Sequence, residues 1–362
     1  MTPKNKNICI ITSSLGHGGA EKVAALQSQM LHNLGCHVFV VSIMNPIEYK
    51  YAGKLLNLGA LKDEKDGFFH RMNRFIVFKK FLQKNHIDLI IDHRSRNSLA
   101  RELLLKHLVY QNIKTVFMVH SHNLLKSFPK NKIIANYLYP KNTAFVSVSK
   151  GIKEKIKSNY QLDNVSTIYN SFQLSSNNKV VVKTNKNYIL FFGRLDEEAK
   201  DLTFLIKAYH KSILPAQNIQ LYILGDGPDL HKLIALVTTL ELTQYVVFKS
   251  ATTNPFPIVK SAKLTVLTSN FEGFPMSLVE SLACETPIIS VDCESGPSEI
   301  IINKHNGLLV KKDLDTFTNA LNLMISDNEL LAFCKSNSLQ SIEHLSFDNI
   351  QQEWAKFLES IL

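Results

Sequence analysis

Short, uninterrupted aliphatic runs, each leading through a polar loop into a helix-like stretch, recur along this chain, and the series starts twice. Ile8-Cys9-Ile10-Ile11 gives way to the polar, glycine-rich Thr12–Gly19 and then to Ala20–Leu34. Val38–Ile43, Leu89–Ile91, Thr115–Val119 and Ala144–Val148 follow in the same manner. Strands that lack an in/out alternation are covered on both faces, which predicts parallel sheets flanked by helices. A polar, low-complexity bridge, Ser175–Asn187, interrupts the pattern. It restarts with Tyr188–Phe192, Gln220–Leu224, Val246–Phe248, Leu264–Leu267, Pro287–Val291 and Leu308–Val310. A chain of 362 residues suits two domains. The expected division is 1–172, a linker 173–187, 188–343, and a final helix 344–362 packing back on the first domain. Ile350, Trp354, Phe357 and Ile361 would line one side of that helix. The fold class is therefore α/β, two doubly wound parallel sheets facing across a cleft, with ligands expected at the carboxyl ends of the strands.

Charge divides as sharply as the pattern does. Residues 1–180 hold 26 Lys and Arg against 10 Asp and Glu, and residues 181–362 hold 15 against 21. A basic first half points to an anionic surface, either phospholipid or nucleic acid, although a merely solvated surface gives the same count. No apolar run reaches the ~18 residues of a membrane span, and Ile8–Ile11 is too short for a signal peptide, so a cytoplasmic location is expected. The five cysteines, Cys9, Cys36, Cys284, Cys293 and Cys334, are scattered without metal-ligand spacing and read as reduced thiols.

Three features of the second half fit one anion-binding site. Gly193-Arg194-Leu195 ends a strand, with Lys200 six residues beyond the arginine. Such a pair can meet a diphosphate through charge-assisted hydrogen bonds. Gly225-Asp226-Gly227 follows another strand and precedes a helix, where glycines admit a close backbone approach and a helix N-terminus favours an anion. Glu272, Gly273, Phe274, Pro275, Met276 and Glu280 follow a third strand. Pro275 suits a first helical turn, which leaves Glu272 in the loop and Glu280 just inside the helix, and the two carboxylates can accept hydrogen bonds from sugar and ribose hydroxyls. Taken singly, each feature also has an ordinary explanation as a solvated charge, a tight turn or a helix cap.

Their order along the chain resembles the retaining family-4 glycosyltransferases of GT-B fold, built from two Rossmann-like domains. Glu272 and Glu280 match that family's pair of glutamates seven residues apart, and Gly193, Arg194, Leu195 and Lys200 match its basic motif. Gly18-Gly19-Ala20-Glu21, Ser147-Val148-Ser149-Lys150-Gly151, Tyr169-Asn170 and Asn306-Gly307-Leu308-Leu309-Val310 extend the likeness over nearly the whole chain. Phe271–Met276 and Asp292–Glu299 resemble transferases that build lipopolysaccharide, O-antigen and capsule from UDP-hexoses.

The resemblance implies an acceptor-binding first domain, a nucleotide-sugar-binding second domain, and transfer of galactose, glucose or N-acetylhexosamine with retention to a glycan or glycolipid. It implies that Gly18 and Gly19 approach the donor, that Arg194 and Lys200 neutralise the leaving diphosphate, that Glu272 holds the sugar and that Glu280 holds the ribose. His120, after the strand Thr115–Val119, matches the histidine beside the transferred sugar, with His122 as the alternative. The donor, a UDP-hexose, is a substrate, and neither a cofactor nor a metal is expected.

A phosphorylase-like or epimerase-like enzyme on the same fold is the first rival. A phosphorylase needs a pyridoxal-phosphate lysine and usually a longer chain. A non-enzymatic nucleic-acid binder is the second rival, and no aromatic-interleaved basic motif supports it. Phe68–Leu82 mixes Phe75, Ile76 and Phe78 with Arg71, Arg74, Lys79 and Lys80, as an interfacial helix on the cytoplasmic face of the inner membrane would. A core helix with basic edges has the same composition.

Overall fold

The structure, a computed structural model, describes residues 3–16, 18–62, 66–140, 143–173 and 187–362. It divides into two compact units: one holds residues 1–171 and the last helix, Phe347–Ile361, and the other holds residues 172–346. The polar bridge expected at 175–187 lies outside the described residues apart from Asn187.

In the first unit seven parallel strands run β1 (Asn7–Thr12), β2 (His37–Ser42), β3 (Lys54–Asn57), β4 (Leu89–Asp92), β5 (Lys114–Val119), β6 (Ala144–Ser147) and β7 (Val165–Thr167). Their order across the sheet is β3-β2-β1-β4-β5-β6-β7. Strands β1, β4 and β6 are buried almost throughout, as their unbroken apolar runs require. Strand β1 pairs with β2 on one side (Ile8 beside Val38) and with β4 on the other (Ile8 beside Leu89). The strand order therefore reverses at β1, the kind of place at which doubly wound sheets bind ligands beyond the carboxyl ends of their strands. The two strands absent from the sequence expectation, β3 and β7, are the outermost ones. With few buried positions each, they carry little of the apolar signal by which a covered strand is read.

The second unit repeats the scheme with six parallel strands, β8 (Tyr188–Phe192), β9 (Gln220–Leu224), β10 (Val246–Lys249), β11 (Thr265–Leu267), β12 (Ile288–Val291) and β13 (Gly307–Val310). Their order is β10-β9-β8-β11-β12-β13, so the reversal falls at β8, with the loops after β8 and β11 on either side of it.

The helix Phe347–Ile361 packs on the helix Gly19–Asn33 of the first unit. Its buried side is Ile350, Trp354 and Leu358 rather than the expected set, and Phe357 and Ile361 lie at the edge of that stripe, half-buried. A spacing of four keeps one face pointing inward, and each such side chain contributes about 1.5–3 kcal/mol when fully buried. The segment read as a membrane-surface helix forms the helix Phe68–Lys84. Phe78 and Leu82 are buried in the core of the first unit, and Phe75 packs against that core, which corrects the assignment of Phe75 and Phe78 to a lipid contact. Phe68, Phe69 and Ile76 are exposed. Among the described residues no helix is long and apolar enough to cross a membrane.

Candidate active site

The loops at the β8 reversal hold the charged residues of the second unit. Lys200 closes a short helix, Glu197–Lys200, capped by the Asp196 side chain. Its ammonium donates to Glu272 Oε1 at 2.5 Å, and the Ser269 hydroxyl donates to the same oxygen at 2.6 Å. Glu272 is therefore fixed by two donors, and the expected phosphate and sugar contacts of Lys200 and Glu272 begin from an ion pair. Arg194 stands apart, with its side chain 72% exposed and Asp196 at 3.9 Å.

The glycine pair beside this loop has a definite steric task. A Cβ on Gly225, whose φ is +153°, would lie 1.8 Å from the Gly193 carbonyl oxygen, and one on Gly227 would lie 2.1 Å from that of Leu195. Leu195 N–H donates to the Asp226 carbonyl at 3.0 Å. Glycine at 225 and 227 thus lets one turn lie directly on the backbone that presents Arg194.

Pro275 precedes the helix Met276–Ala283, which places Glu272 in the loop and the largely buried Glu280 in the helix. The loop is braced from β12. Ser295 Oγ donates to the Gly273 carbonyl at 3.1 Å, and a Cβ on Gly296 (φ +93°) would meet Pro275 Cδ at 2.5 Å. Phe274 is buried. Burial, reinforced by the charge of Glu272, pushes the neighbouring Cys293 thiol up to about 12, so it stays protonated beside the ion pair.

In the first unit Gly18 is extended and precedes the helix Gly19–Asn33, and a Cβ on Gly19 would meet nothing within 4 Å. Protein packing therefore leaves Gly19 free to face a ligand or solvent. His120 directly follows β5, and its ring stacks on that of His93, with centroids 5.1 Å apart and planes at 26°. His93 Nδ1 lies 3.1 Å from His120 Nε2, and His93 Nε2 lies 2.6 Å from Gln27 Oε1. Burial, with Arg96 adding to it, lowers His120 from 6.5 to about 4. Burial, then His120 and Arg96, holds His93 well below its ordinary value. Both rings are neutral near pH 7. The alternative, His122, is buried, and its Nδ1 lies 3.0 Å from Lys155 Nζ.

The loop after β4 that carries His93 is pinned by a buried network. Arg94 donates to both Asp92 oxygens, at 2.9 and 2.6 Å, and to Glu102 at 3.2 Å, while the Tyr110 hydroxyl donates to Asp92 at 2.9 Å. Burial alone would raise Asp92, but Arg94 outweighs it and keeps the carboxylate below its usual range. Arg96, also buried, donates to the carbonyls of Arg94, Met118 and Ser127. His93 and Gln27 are absent from the sequence expectation. His93 satisfies the same rule that singled out His120, a histidine directly after a strand, whereas Gln27, inside a helix, carries no such signal.

Comparison with known proteins bears on the family and the fold. Residues 17–175 match the profile described as Glycosyltransferase Family 4, and residues 173–340 match Glycosyl transferases group 1. The chain is 26% identical over 364 residues to the N-acetylgalactosamine-N,N'-diacetylbacillosaminyl-diphospho-undecaprenol 4-alpha-N-acetylgalactosaminyltransferase of Campylobacter jejuni, covering 96% of this chain and 98% of that one. It is 26% identical over 330 residues to the lipopolysaccharide 1,6-galactosyltransferase of Salmonella typhimurium, covering 86% and 87%. Among solved structures, Staphylococcus aureus TarM with fondaparinux, alpha-GlcNAc-glycerol and UDP superposes with a TM-score of 0.79 at 14% identity, over 98% of this chain and 99% of that one. Anabaena HepE with UDP and glucose gives 0.78 at 18% identity, over 99% and 100%. Between them the two profiles span residues 17–340 without a gap, and the chain belongs to the family-4-like glycosyltransferases of GT-B fold.

Proposed function

We propose that the chain is a retaining hexosyltransferase that moves galactose, glucose or N-acetylhexosamine from a UDP-sugar to a lipid-linked or lipopolysaccharide-type glycan. The observation that carries this reading is the Lys200–Glu272 pair at the β8 reversal, with the exposed Arg194 on a backbone-braced loop that leaves the same strand as Lys200. Two cations after one strand end can stabilise the charge that grows on a departing diphosphate, which is where electrostatics contributes most. As Lys200 turns to phosphate, Glu272 becomes free to accept hydrogen bonds from the sugar, and Glu280 takes the ribose diol. The departing phosphate receives the proton of the incoming hydroxyl on the same face of the sugar, unlike the scheme in which two carboxylates flank the scissile bond. Arg194 and Lys200 make a divalent metal dispensable. HepE and TarM, crystallised with UDP, support the donor, and the relative acting on a diphospho-undecaprenol substrate supports the acceptor.

The test is nucleotide release from a panel of UDP- and GDP-sugars, with and without EDTA, followed by NMR of the product's anomeric coupling. Turnover with a UDP-hexose in EDTA and an α product from an α donor are expected. Preference for GDP-sugars, dependence on magnesium or manganese, or inversion would each remove the corresponding part.

The basic first half supports, in this reading, a location at the cytoplasmic face of an anionic membrane. The contact set is exposed Phe68, Phe69 and Ile76 with Arg71 and Lys80. Each basic residue near such a surface contributes roughly 1 kcal/mol, so salt-sensitive co-sedimentation with anionic liposomes is expected, and recovery in the supernatant at low salt counts against it.

A further inference from the structure

Gln27, His93 and His120 form a chain of two hydrogen bonds between neutral partners, and the direction of the first dictates the direction of the second. Each neutral imidazole carries one N–H. Gln27 Oε1 can only accept, so at 2.6 Å the proton of His93 must sit on Nε2. His93 Nδ1 is then a bare acceptor, and the 3.1 Å contact to His120 exists only if His120 carries its proton on Nε2. The remaining nitrogen, His120 Nδ1, is left with a lone pair and has no hydrogen-bond partner among the described residues. Gln27 is buried, and its Nε2 lies in the interior without a partner. An orphaned buried donor costs stability, so packing alone does not account for an amide here.

We propose that Gln27 and His93 are positioning residues that fix the tautomer of His120, so that its Nδ1 is held as a hydrogen-bond acceptor for a neutral hydroxyl of the donor sugar. This rests on the reading that His120 meets that sugar. The geometry suits the task, because a ring whose proton is committed to His93 cannot turn an N–H toward the ligand and discriminates for hydroxyl donors. The depressed proton affinity of both rings keeps the relay neutral near pH 7.

Nitrogen-15 spectra of the histidine-labelled full chain separate Nδ1–H from Nε2–H rings. His93 and His120 are both expected as Nε2–H, and an Nδ1–H His120 in the wild type overturns the proposal without any variant. Gln27→Leu fills the same space with no acceptor and should leave His120 a mixture of tautomers, with kcat about tenfold lower, the worth of one neutral hydrogen bond. A purely structural glutamine would leave the tautomer unchanged in Gln27→Leu, which keeps the side chain's volume. Wild-type kcat and an unchanged tautomer in Gln27→Leu overturn the relay. Wild-type turnover by His120→Ala overturns the ligand half together with the reading it rests on, and the tautomer spectra then report on the relay by themselves.

Discussion

At the carboxyl end of one sheet a lysine and a glutamate meet and an exposed arginine follows the same strand as the lysine, while at the end of the other two uncharged imidazoles stack and one of them hydrogen-bonds to a buried glutamine. The loops after β4 and β11, which carry His93 and Glu272, occupy corresponding places, each on the strand next to the one at which its sheet reverses order, and His120 lies one strand further out. In the reading proposed above they differ in what they have to recognise. A diphosphate offers several charged oxygens, so point charges at partly exposed positions suffice and small errors of direction matter little. A neutral hydroxyl is distinguished only by the direction of its proton, and direction requires a ring held in place and in one tautomer. Burial, which would penalise the charges of the second unit, is what keeps the rings of the first unit neutral.

The sharpest way to break this contrast is to remove the charge. Lys200→Ala should lower kcat by about 10²–10³, the usual loss when one transition-state donor is deleted, with the thermal melt close to wild type. Turnover within a few-fold of wild type would mean that the exposed loop does not meet the leaving group.

A smaller effect is expected from the scaffold beneath it. Gly225→Ala forces a Cβ against the Gly193 carbonyl at a positive φ and should cost about 1–3 kcal/mol, with transfer falling alongside because the Arg194 loop must shift. An unaltered denaturation midpoint would show that the turn yields freely.

The last expected effect is on the neutral side, in how stability responds to pH. His120 binds protons more weakly folded (about 4) than its ordinary 6.5, so between those values the unfolded chain holds more protons than the folded one. Its contribution to stability is intact above about pH 6.5 and declines as pH falls toward 4. Urea midpoints from pH 7 to 4.5 should drop less steeply in His120→Gln than in the wild type. Parallel curves would show that His120 titrates in the folded state much as it does in the unfolded one.

The central strands were legible because being covered on both faces demands an unbroken apolar run, and Ile8–Ile11 or Tyr188–Phe192 has few other uses. Edge strands β3 and β7 face that demand on one side only and left almost no trace. The glycines at 225 and 227 were found by spacing, but the atoms that require them, the carbonyls of Gly193 and Leu195, belong to a different loop. Phe78 reads as a lipid contact in the sequence because a basic amphipathic helix looks alike whether its apolar side meets lipid or, as here, a core. Gln27 was invisible because its partner, His93, is 66 residues away, and no local pattern encodes such a meeting.

The return of the last helix to the first unit has a consequence for how the protein is made. On the ribosome, the first unit waits for its closing segment while roughly 190 further residues are synthesised, about 10–40 s at the usual rate. Throughout that interval the side of the helix Gly19–Asn33 that will receive Phe347–Ile361 stays uncovered. A stop before Ile350 would remove the buried side of that helix and make the uncovered state permanent, releasing an intact second unit tethered to a first one that chaperones and proteases would treat as unfinished.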